Sequence, residues 1–355
     1  MRYPIQPRTT RIRSALLGGL LAAVAWMPLQ TEAGNRKDEL PMRPAIMSAK
    51  AAKALLTDVS VSGNKIAVVG ERGHILTSID DGRTWTQGKV PVQTLLTGVF
   101  FVSEQEGWAI GHEAVILHTR DGGENWEVQY ANPHKAFTDE ELEQLSEEEF
   151  NLLPRYGSPL LDLWFRDAKE GFVVGAYGML LHTRDGGENW EDWSDRLDNP
   201  DNWHLNAIGS VDGKTLYIAG EKGQLFSSQD GGTSWNTLTG PYEGSYFGMM
   251  TGPAPEQVLI FGLAGNMFSS DDAGATWAEI TSPTENSLMS GVQLDQQMIL
   301  VGNSGSILIS KDGGKSFTLQ TTKDRQAIVG IARTPGGKLL MVGQGGVKLA
   351  SPASM

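Results

Sequence analysis

Regularly spaced aspartates are the residues of this chain whose type and spacing could support catalysis. The hexapeptide DGGENW occurs at 121–126 and again at 185–190, and related phrases occur at four further places. Paired carboxyl groups serve glycoside hydrolases as acid and nucleophile. An active site needs one such constellation, however, and six near-equivalent copies favour a structural role. An aspartate in a tight turn can accept backbone N–H hydrogen bonds while glycine supplies a positive φ.

Each copy resembles the Asp-box, S/T-x-D-x-G-x-T/S-W, which is a turn between two strands. The hydroxyl residues are Ser78, Thr119, Thr183, Ser228, Ser270 and Ser310. The aspartates are Asp80, Asp121, Asp185, Asp230, Asp272 and Asp312. The glycines are Gly82, Gly123, Gly187, Gly232, Gly274 and Gly314. The aromatic residues, which we expect to be buried against their own sheets, are Trp85, Trp126, Trp190, Trp235, Trp277 and Phe317.

The elements that must position these turns recur with the same spacing. Each Asp-box follows three short apolar runs and precedes a fourth, and the repeats are about 40 residues apart, with one longer step of 64. Four strands per repeat at that period predict a β-propeller. The seventh copy, at 341–351, lacks the Asp-box. We therefore predict an all-β, seven-bladed propeller over 34–355, whose ring is closed by an N-terminal strand from 44–52 added to the last blade.

The N-terminal segment has the composition of a leader. Four arginines precede the apolar run at 14–26, and small residues stand before a candidate cleavage site at residue 33. This pattern predicts a signal peptide over 1–33 and an exported, periplasmic protein without direct membrane insertion after its removal; the thylakoid lumen applies only in a photosynthetic host. The chain has no cysteine, so disulfides and thiolate metal sites are excluded.

Charge and histidine placement exclude several further classes of function. The formal net charge is −13, which disfavours nucleic acid as a partner. His118 and His182 stand at a position that other repeats fill with serine or isoleucine, so no metal site is predicted. No phosphate loop is predicted either, because no helix follows the G-x-x-G turns. We expect no cofactor.

The 64-residue step contains an insertion over 131–158, between the second and third blades. Thr138 and Glu141 form a capping-box pattern, and Leu142, Leu145, Phe150 and Leu153 have the spacing of one helical face. The sequence predicts one amphipathic helix that ends at Pro154. It either packs on the propeller rim or belongs to a surface that binds a partner.

Propeller geometry places this insertion on the same face as the turns between second and third strands. That face also carries the connections between blades, which contain aromatic residues. Aromatic and charged side chains on varied loops are typical anchors for a protein partner. The candidate partner-binding residues are Arg72, Glu113, Tyr177, Trp193, Trp203 and Lys222.

The alternative is an Asp-box glycoside hydrolase. Asp58, Asp162 and Asp167 lie near predicted inner strands, but the sequence does not pair them at the separation that a glycosidase needs. A sialidase-like enzyme would also need an F/Y-R-I-P motif, which is absent, and a glucanase-like enzyme would be about twice this length. We predict a chain that is not an enzyme.

The segments LTGVFFVSEQEGWAIGHEAVILHTRDGGENW (96–126) and LDLWFRDAKEGFVVGAYGMLLHTRDGGENW (161–190) resemble the repeat of the photosystem II stability and assembly factor family. The resemblance extends over essentially all of the chain after the leader. It implies a seven-bladed, exported and non-enzymatic propeller that helps to assemble or stabilise a protein complex of a membrane or envelope. The partner it implies is therefore a protein.

Overall fold

The computed structural model describes residues 34–210, 212–252, 256–294 and 297–352. They form seven antiparallel sheets, six with four strands and one with three. Each innermost strand contacts the innermost strands of both neighbouring sheets, and the seventh sheet contacts the first, so the sheets form a closed ring. The predicted seven-bladed propeller is confirmed.

The strands follow each other within a sheet from the centre of the ring outward. The first sheet holds β1 (Leu56–Ser62), β2 (Lys65–Gly70), β3 (Ile75–Ser78) and β4 (Thr86–Gln87). The second holds β5 (Leu96–Phe101), β6 (Gly107–Gly111), β7 (Ile116–Thr119) and β8 (Glu127–Tyr130). The third holds β9 (Leu160–Phe165), β10 (Gly171–Gly175), β11 (Leu180–Thr183) and β12 (Glu191–Asp192). The fourth holds β13 (Leu205–Ser210), β14 (Leu216–Gly220), β15 (Leu225–Ser228) and β16 (Asn236–Thr237).

The remaining three sheets have the same order. The fifth holds β17 (Tyr246–Thr251), β18 (Val258–Gly262), β19 (Met267–Ser270) and β20 (Ala278–Glu279). The sixth holds β21 (Leu288–Leu294), β22 (Gln297–Gly302), β23 (Ser306–Ser310) and β24 (Thr318–Thr321). The seventh holds β25 (Ile328–Arg333), β26 (Leu339–Gly343) and β27 (Lys348–Ala350).

Second strands form the core of every sheet. All residues of β6, for example, are buried, as are all residues of β10 and β26. Continuous apolar runs such as GWAIG suit this place because a neighbouring sheet covers each face of the strand. The apolar clusters accordingly combine residues of adjacent sheets, as Val69 and Ile75 do with Leu96 and Val99.

The Asp-box turns have the hydrogen-bonded structure that the sequence predicts. The Thr119 hydroxyl donates to Asp121 Oδ1 (2.9 Å) and accepts the Gly123 N–H (3.0 Å). The Asp121 carboxylate accepts the Asn125 N–H (3.0 Å) and its side-chain amide (2.7 Å). Burial alone would raise the pKa of Asp121, but hydrogen bonds from Asn125 and Thr119 outweigh that effect and lower the pKa to about 2. The other five boxes repeat the bonds from the hydroxyl to the aspartate and from the glycine N–H to the hydroxyl.

The Asp-box aromatic residues lie between neighbouring sheets and not only against their own. Trp126 packs in one cluster with Val69 and Ile75 of the preceding sheet, and its Nε1–H donates to Gly123 O (3.2 Å). Trp190 contacts a cluster that contains Trp108 of the second sheet. Each box therefore fixes its own turn and also covers the adjacent sheet.

The predicted closure of the ring by an N-terminal strand is wrong. Residues 44–52 form no strand, and the seventh sheet has only three in the described part of the chain. The segment instead follows the outside of the first sheet, where the Ala45 N–H donates to Val90 O (2.9 Å). It reaches the seventh sheet through one bond, from the Val347 N–H to Ala52 O (3.0 Å).

Side-chain packing closes the ring in place of an exchanged strand. An apolar cluster joins Leu56 and Leu76 of the first sheet to Leu340 and Val342 of the seventh. Asp81 also accepts the Gly336 N–H (2.8 Å) across this seam.

The insertion forms two short helices where the sequence predicts one. They are α1 (Asp139–Gln144) and α2 (Glu147–Leu152). The predicted capping box at Thr138 and Glu141 is present, and a second one at Ser146 and Glu149 starts α2 after an extended Leu145. The shorter 3-10 segments are Lys37–Glu39, Ala51–Lys53, Leu153–Arg155 and Ser194–Arg196. Six further three-residue segments are turns with a left-handed central residue: Glu71–Gly73, His112–Ala114, Ala176–Gly178, Glu221–Gly223, Leu263–Gly265 and Asn303–Gly305.

We predict that Asp121→Ala lowers the free energy of unfolding by about 1–3 kcal/mol, because the turn N–H groups lose their acceptor. Chemical denaturation followed by tryptophan fluorescence measures the change. Glu124→Ala is the matched control: this exposed residue of the same turn should change stability by less than about 0.5 kcal/mol. Equal losses in the two variants would contradict a structural role for the box.

Candidate binding face

The turns between second and third strands lie on one face of the propeller, together with the connections between blades. We call it the connector face; the Asp-box turns lie on the other. The Gly73 N–H donates to Thr94 O of the following connection (2.8 Å), and the Gly223 N–H donates to Gly244 O (2.7 Å). Such bonds hold the two kinds of loop together.

One residue of each of six such turns has a positive φ without being glycine. They are Arg72, Glu113, Tyr177, Lys222, Ala264 and Ser304, with φ between 53° and 61°. The next residue is glycine in five turns, also with a positive φ, and Ala114 in the second blade. The backbone thus sets the same geometry in each turn while the side chain differs from blade to blade.

The structure brings Tyr177, Trp203 and Lys222 together. The ring of Tyr177 meets that of His204 edge to face (5.0 Å), and Lys222 Nζ lies 5.7 Å from the centre of the Trp203 ring. Trp203 is held by Asn199, which accepts its N–H (3.0 Å) and donates to its carbonyl (2.9 Å). These residues form a continuous surface from the third to the fourth blade.

Glu113 anchors the stem of the insertion. Its carboxylate accepts the His134 N–H (2.6 Å), its carbonyl accepts the Asn132 N–H (2.9 Å), and its N–H donates to Gly157 O (3.3 Å). Glu113 is therefore half-buried beneath the insertion. Arg72 is exposed on the first blade, apart from the surface of the third and fourth blades.

The insertion adds exposed apolar residues next to that surface. Phe150 is 57% exposed, Leu152 is 38% exposed and Tyr177 is 38% exposed. The segment Leu153–Arg155 contacts the Tyr177 turn, and Arg155 Nε donates to Tyr177 O (3.3 Å). We call Phe150, Leu152, Tyr177, Trp203 and Lys222 the rim patch.

Sequence reasoning did not single out Phe150 or Leu152 as partner-binding residues, because it placed Phe150 on the apolar face of a single helix and left the role of that helix open. The pattern S-E-E-E at 146–149 is itself a capping box and was the available signal for a new helix start. A restart after the extended Leu145 ends the helical register, so the spacing from Leu142 to Phe150 no longer defines one face.

Trp193 offers almost no surface to a partner. It is 4% exposed, its ring lies 3.8 Å from that of His182, and the guanidinium of Arg196 stacks on it at 3.4 Å. It packs in the cluster that joins the third and fourth sheets. We therefore leave it out of the rim patch.

The innermost strands surround a central channel of about 800 Å³, which contains two of the aspartates of the enzyme alternative. Asp58 of the first blade accepts the Val99 N–H of the second blade (2.9 Å). Asp162 of the third blade accepts the Ile208 N–H of the fourth blade (2.8 Å). Both carboxylates therefore connect neighbouring inner strands. Asp167 lies elsewhere, in an exposed turn where it accepts the N–H groups of Lys169 (2.7 Å) and Glu170 (3.0 Å).

The channel changes the acidity of Asp58 and Asp162. Each residue is half-buried, and its carboxyl lies among the inner strands that line the channel. Burial raises the pKa of Asp58 to about 7 against the hydrogen bonds from Val99 and Val59. Burial and the charge of Asp58 raise the pKa of Asp162 to about 7, against hydrogen bonds from Ile208 and Leu163.

The described residues contain no group of three or more His, Asp or Glu arranged to hold a metal ion. Within the same ranges, no helix is long and apolar enough to cross a membrane. The predicted signal peptide lies outside the described residues.

Comparison with known proteins gives one family. The family model described as "Photosynthesis system II assembly factor YCF48" matches residues 84–152 and 142–282. The chain is 31% identical over 111 residues to the chloroplastic photosystem II stability/assembly factor HCF136 of Arabidopsis thaliana, a match that covers 30% of this chain and 23% of that protein. It is 27% identical over 124 residues to the photosystem II assembly lipoprotein Ycf48 of a Synechococcus strain (CC9902), a match that covers 34% of this chain and 31% of that protein. The aligned part thus spans less than a third of either relative.

A solved structure, described as YCF48 bound to D1 peptide, shares the fold. Its TM-score is 0.64 at 18% identity, and the match covers 87% of this chain and 96% of that one.

Because the pKa values of Asp58 and Asp162 are raised, we predict that the folded protein becomes less stable as the pH rises. A carboxyl with an ordinary pKa near 4 when unfolded and about 7 when folded binds its proton more tightly in the folded state. The contribution of such a carboxyl to the free energy of unfolding is therefore complete below about pH 4 and is lost as the pH approaches 7. Asp162→Asn should raise the melting temperature at pH 7.5 and flatten its decline between pH 5 and 7.5.

Thermal melts at pH 5, 6 and 7.5 measure this. Asp167→Asn is the control, since hydrogen bonds from Glu170 and Lys169 lower the pKa of that exposed aspartate. Its contribution is lost only as the pH falls below about 4, so this variant should retain the wild-type decline above pH 5. The same flattening in both variants would contradict the assignment to the channel.

Proposed function

Because the chain belongs to the YCF48 family of photosystem II assembly factors, we propose that it is an exported, non-catalytic scaffold that helps to assemble or stabilise a membrane or envelope protein complex. The rim patch is the observation that carries this proposal. It presents exposed apolar and aromatic side chains on a rigid ring, beside charged residues. Such a combination is suited to the recognition of a protein segment.

The family relatives support a protein partner. The named relatives are assembly factors of photosystem II, and a solved relative holds a peptide of D1. For this chain we propose a segment of a membrane-complex subunit that binds across the rim patch. The helices of the insertion are rich in glutamate, so a segment with apolar and basic residues fits them best.

We place the protein in the periplasm, or in the thylakoid lumen if the host is photosynthetic. The support is the leader-like composition of residues 1–33, with 34–355 as the mature propeller. A lipoprotein among the relatives agrees with export in the family.

The geometry gives no support to the glycosidase alternative. The channel carboxylates of Asp58 and Asp162 are occupied by backbone N–H groups of neighbouring strands. The Asp-box carboxylates are likewise satisfied within their own turns. These aspartates therefore have structural hydrogen-bonding roles.

We predict that Tyr177→Ala combined with Trp203→Ala reduces partner capture by tenfold or more, since loss of one buried aromatic anchor costs about 2 kcal/mol or more. The measurement is quantitative mass spectrometry of complexes captured by the tagged protein from the detergent-solubilised envelope of its host. Replacement of residues 138–153 by a short glycine-serine linker should have a similar effect. The ends of the insertion can be joined in this way because the Gly157 N–H already bonds to Asn132 O (2.8 Å).

The matched control is Arg120→Ala with Arg184→Ala, beside the Asp-boxes of the opposite face. Circular dichroism must show that all variants remain folded. If the control releases the captured complex and the rim-patch variants retain it, the connector face is not the binding face.

A further inference from the structure

The seventh sheet has an open edge. Six sheets have an outer fourth strand, whereas β27 has no strand beside it in the described part of the chain. The Asp-box that would lead into a fourth strand is also absent from this repeat. The other six blades therefore show what is missing here: one extended segment antiparallel to β27.

Leu349 is the side chain that the missing segment leaves uncovered. In the other blades this position is held by Thr77, His118, His182, Ser227, Ser269 and Ile309. The His118 and His182 side chains are fully buried. Gln129 of the outer strand β8 contacts His118 (3.1 Å), and the ring of Trp193 covers His182. Leu349 is instead 38% exposed, so this blade carries an apolar side chain where the missing strand would lie.

Backbone groups of β27 point toward the same gap. In complete blades, the carbonyl at the position of Val347 accepts an N–H from the outer segment, as Leu180 O does from Trp193 (2.8 Å) and Leu225 O does from Leu238 (2.8 Å). The Val347 N–H points outward too, but Ala52 O already accepts it (3.0 Å), so the uncovered part of the edge is β27 itself. Because strand residues alternate in direction, the N–H and C=O of Leu349, two residues on, also face the gap.

The surroundings of the gap are basic in an acidic protein. Residues 311–352 contain seven basic residues and two aspartates, whereas the whole chain has a net charge of −13. The basic residues are Lys311, Lys315, Lys323, Arg325, Arg333, Lys338 and Lys348. Of these, Lys311, Lys315, Lys323 and Arg325 are exposed and form no ion pair with any described residue.

Two of these cations lie beside the gap. Lys323 and Arg325 flank Asp324, which accepts the ammonium of Lys348 in β27. Lys315, in the Asp-box turn that precedes β24, instead lines a pocket with residues of the fifth blade. A lysine on an edge strand often serves to prevent pairing with other chains. Lys348 does not extend into the gap, however, because its ammonium bonds to Asp324 (2.7 Å).

From these observations we propose that the open edge of the seventh sheet binds an extended, acidic segment of a partner protein by strand addition. The segment runs antiparallel to β27 and takes the place of the fourth strand. Side chains on one face of the added strand are apolar and cover Leu349. Side chains on its other face are acidic and meet Lys323 and Arg325, in the connection between the sixth and seventh blades. Backbone hydrogen bonds supply affinity, and the alternation supplies specificity.

This site is separate from the rim patch in position and in charge preference. It lies on the sixth and seventh blades, whereas the rim patch belongs to the insertion and the third and fourth blades. Failure of either proposal therefore leaves the other intact.

Fluorescence anisotropy with a labelled seven-residue peptide of alternating glutamate and valine tests the proposal on the full chain. We expect saturable binding that weakens with salt and slower amide exchange in β27. Two control peptides should fail: one with lysine in place of glutamate, and one N-methylated at alternate residues so that it cannot pair.

Protein variants locate the site. Leu349→Asp should weaken binding at least tenfold, and Lys323→Glu with Arg325→Glu should do the same. The matched charge control is Lys169→Glu with Lys214→Glu, two exposed lysines on the Asp-box face of the third and fourth blades. This pair should bind the peptide as wild type does, and all variants should keep the wild-type melting temperature to within a few degrees.

Three results would overturn the proposal. The first is that the acidic peptide does not bind, or binds equally to the Leu349 variant. The second is a dimer that protects β27 from exchange and is lost in that variant, which would assign the edge to a second copy of this chain. The third is binding that occurs only after residues 1–33 are removed, which would assign the edge to the chain's own N-terminus.

Discussion

No blade of this propeller can bury its second strand alone. The residues of β2, β6 and their equivalents are apolar on both faces, so each sheet needs a neighbour on either side. The closed ring satisfies this requirement for all seven at once. The Asp-box aromatics belong to the same solution, because each lies between its own sheet and the preceding one. Turn chemistry and sheet packing are therefore linked at every Asp-box.

The repeats made the architecture predictable, since six copies of one turn define strand order, turn positions and blade number together. What the repeats lack was harder to predict. The truncated seventh copy suggested a strand from 44–52, but that segment hydrogen-bonds along the first blade, and apolar packing at the seam closes the ring. A missing strand in a sequence shows that an edge exists but not what covers it.

The candidate surface was predicted only in part, for a similar reason. Tyr177, Trp203 and Lys222 lie together because the repeat fixes their turns and connections. Trp193 has the same residue type as Trp203 and lies in the same connection, yet it is buried between two blades. Phe150 belongs to the non-repeating insertion, where a second helix start changed the register. Periodicity determines where the backbone goes, whereas the exposure of a loop side chain depends on contacts outside the repeat.

The left-handed residue in six of the connector-face turns has a consequence for how such a protein can change. Its φ stays between 53° and 61° and its ψ between 22° and 39°, whether the side chain is Arg72, Glu113, Tyr177, Lys222, Ala264 or Ser304. Apart from Glu113, whose carboxylate holds the insertion, these side chains can differ while the turn keeps its backbone geometry, although proline is excluded and β-branched residues are costly at positive φ. Substitutions can therefore change the chemistry of the connector face one blade at a time while the propeller keeps its fold. The same ring can in this way present a different set of side chains at six equivalent points of one face.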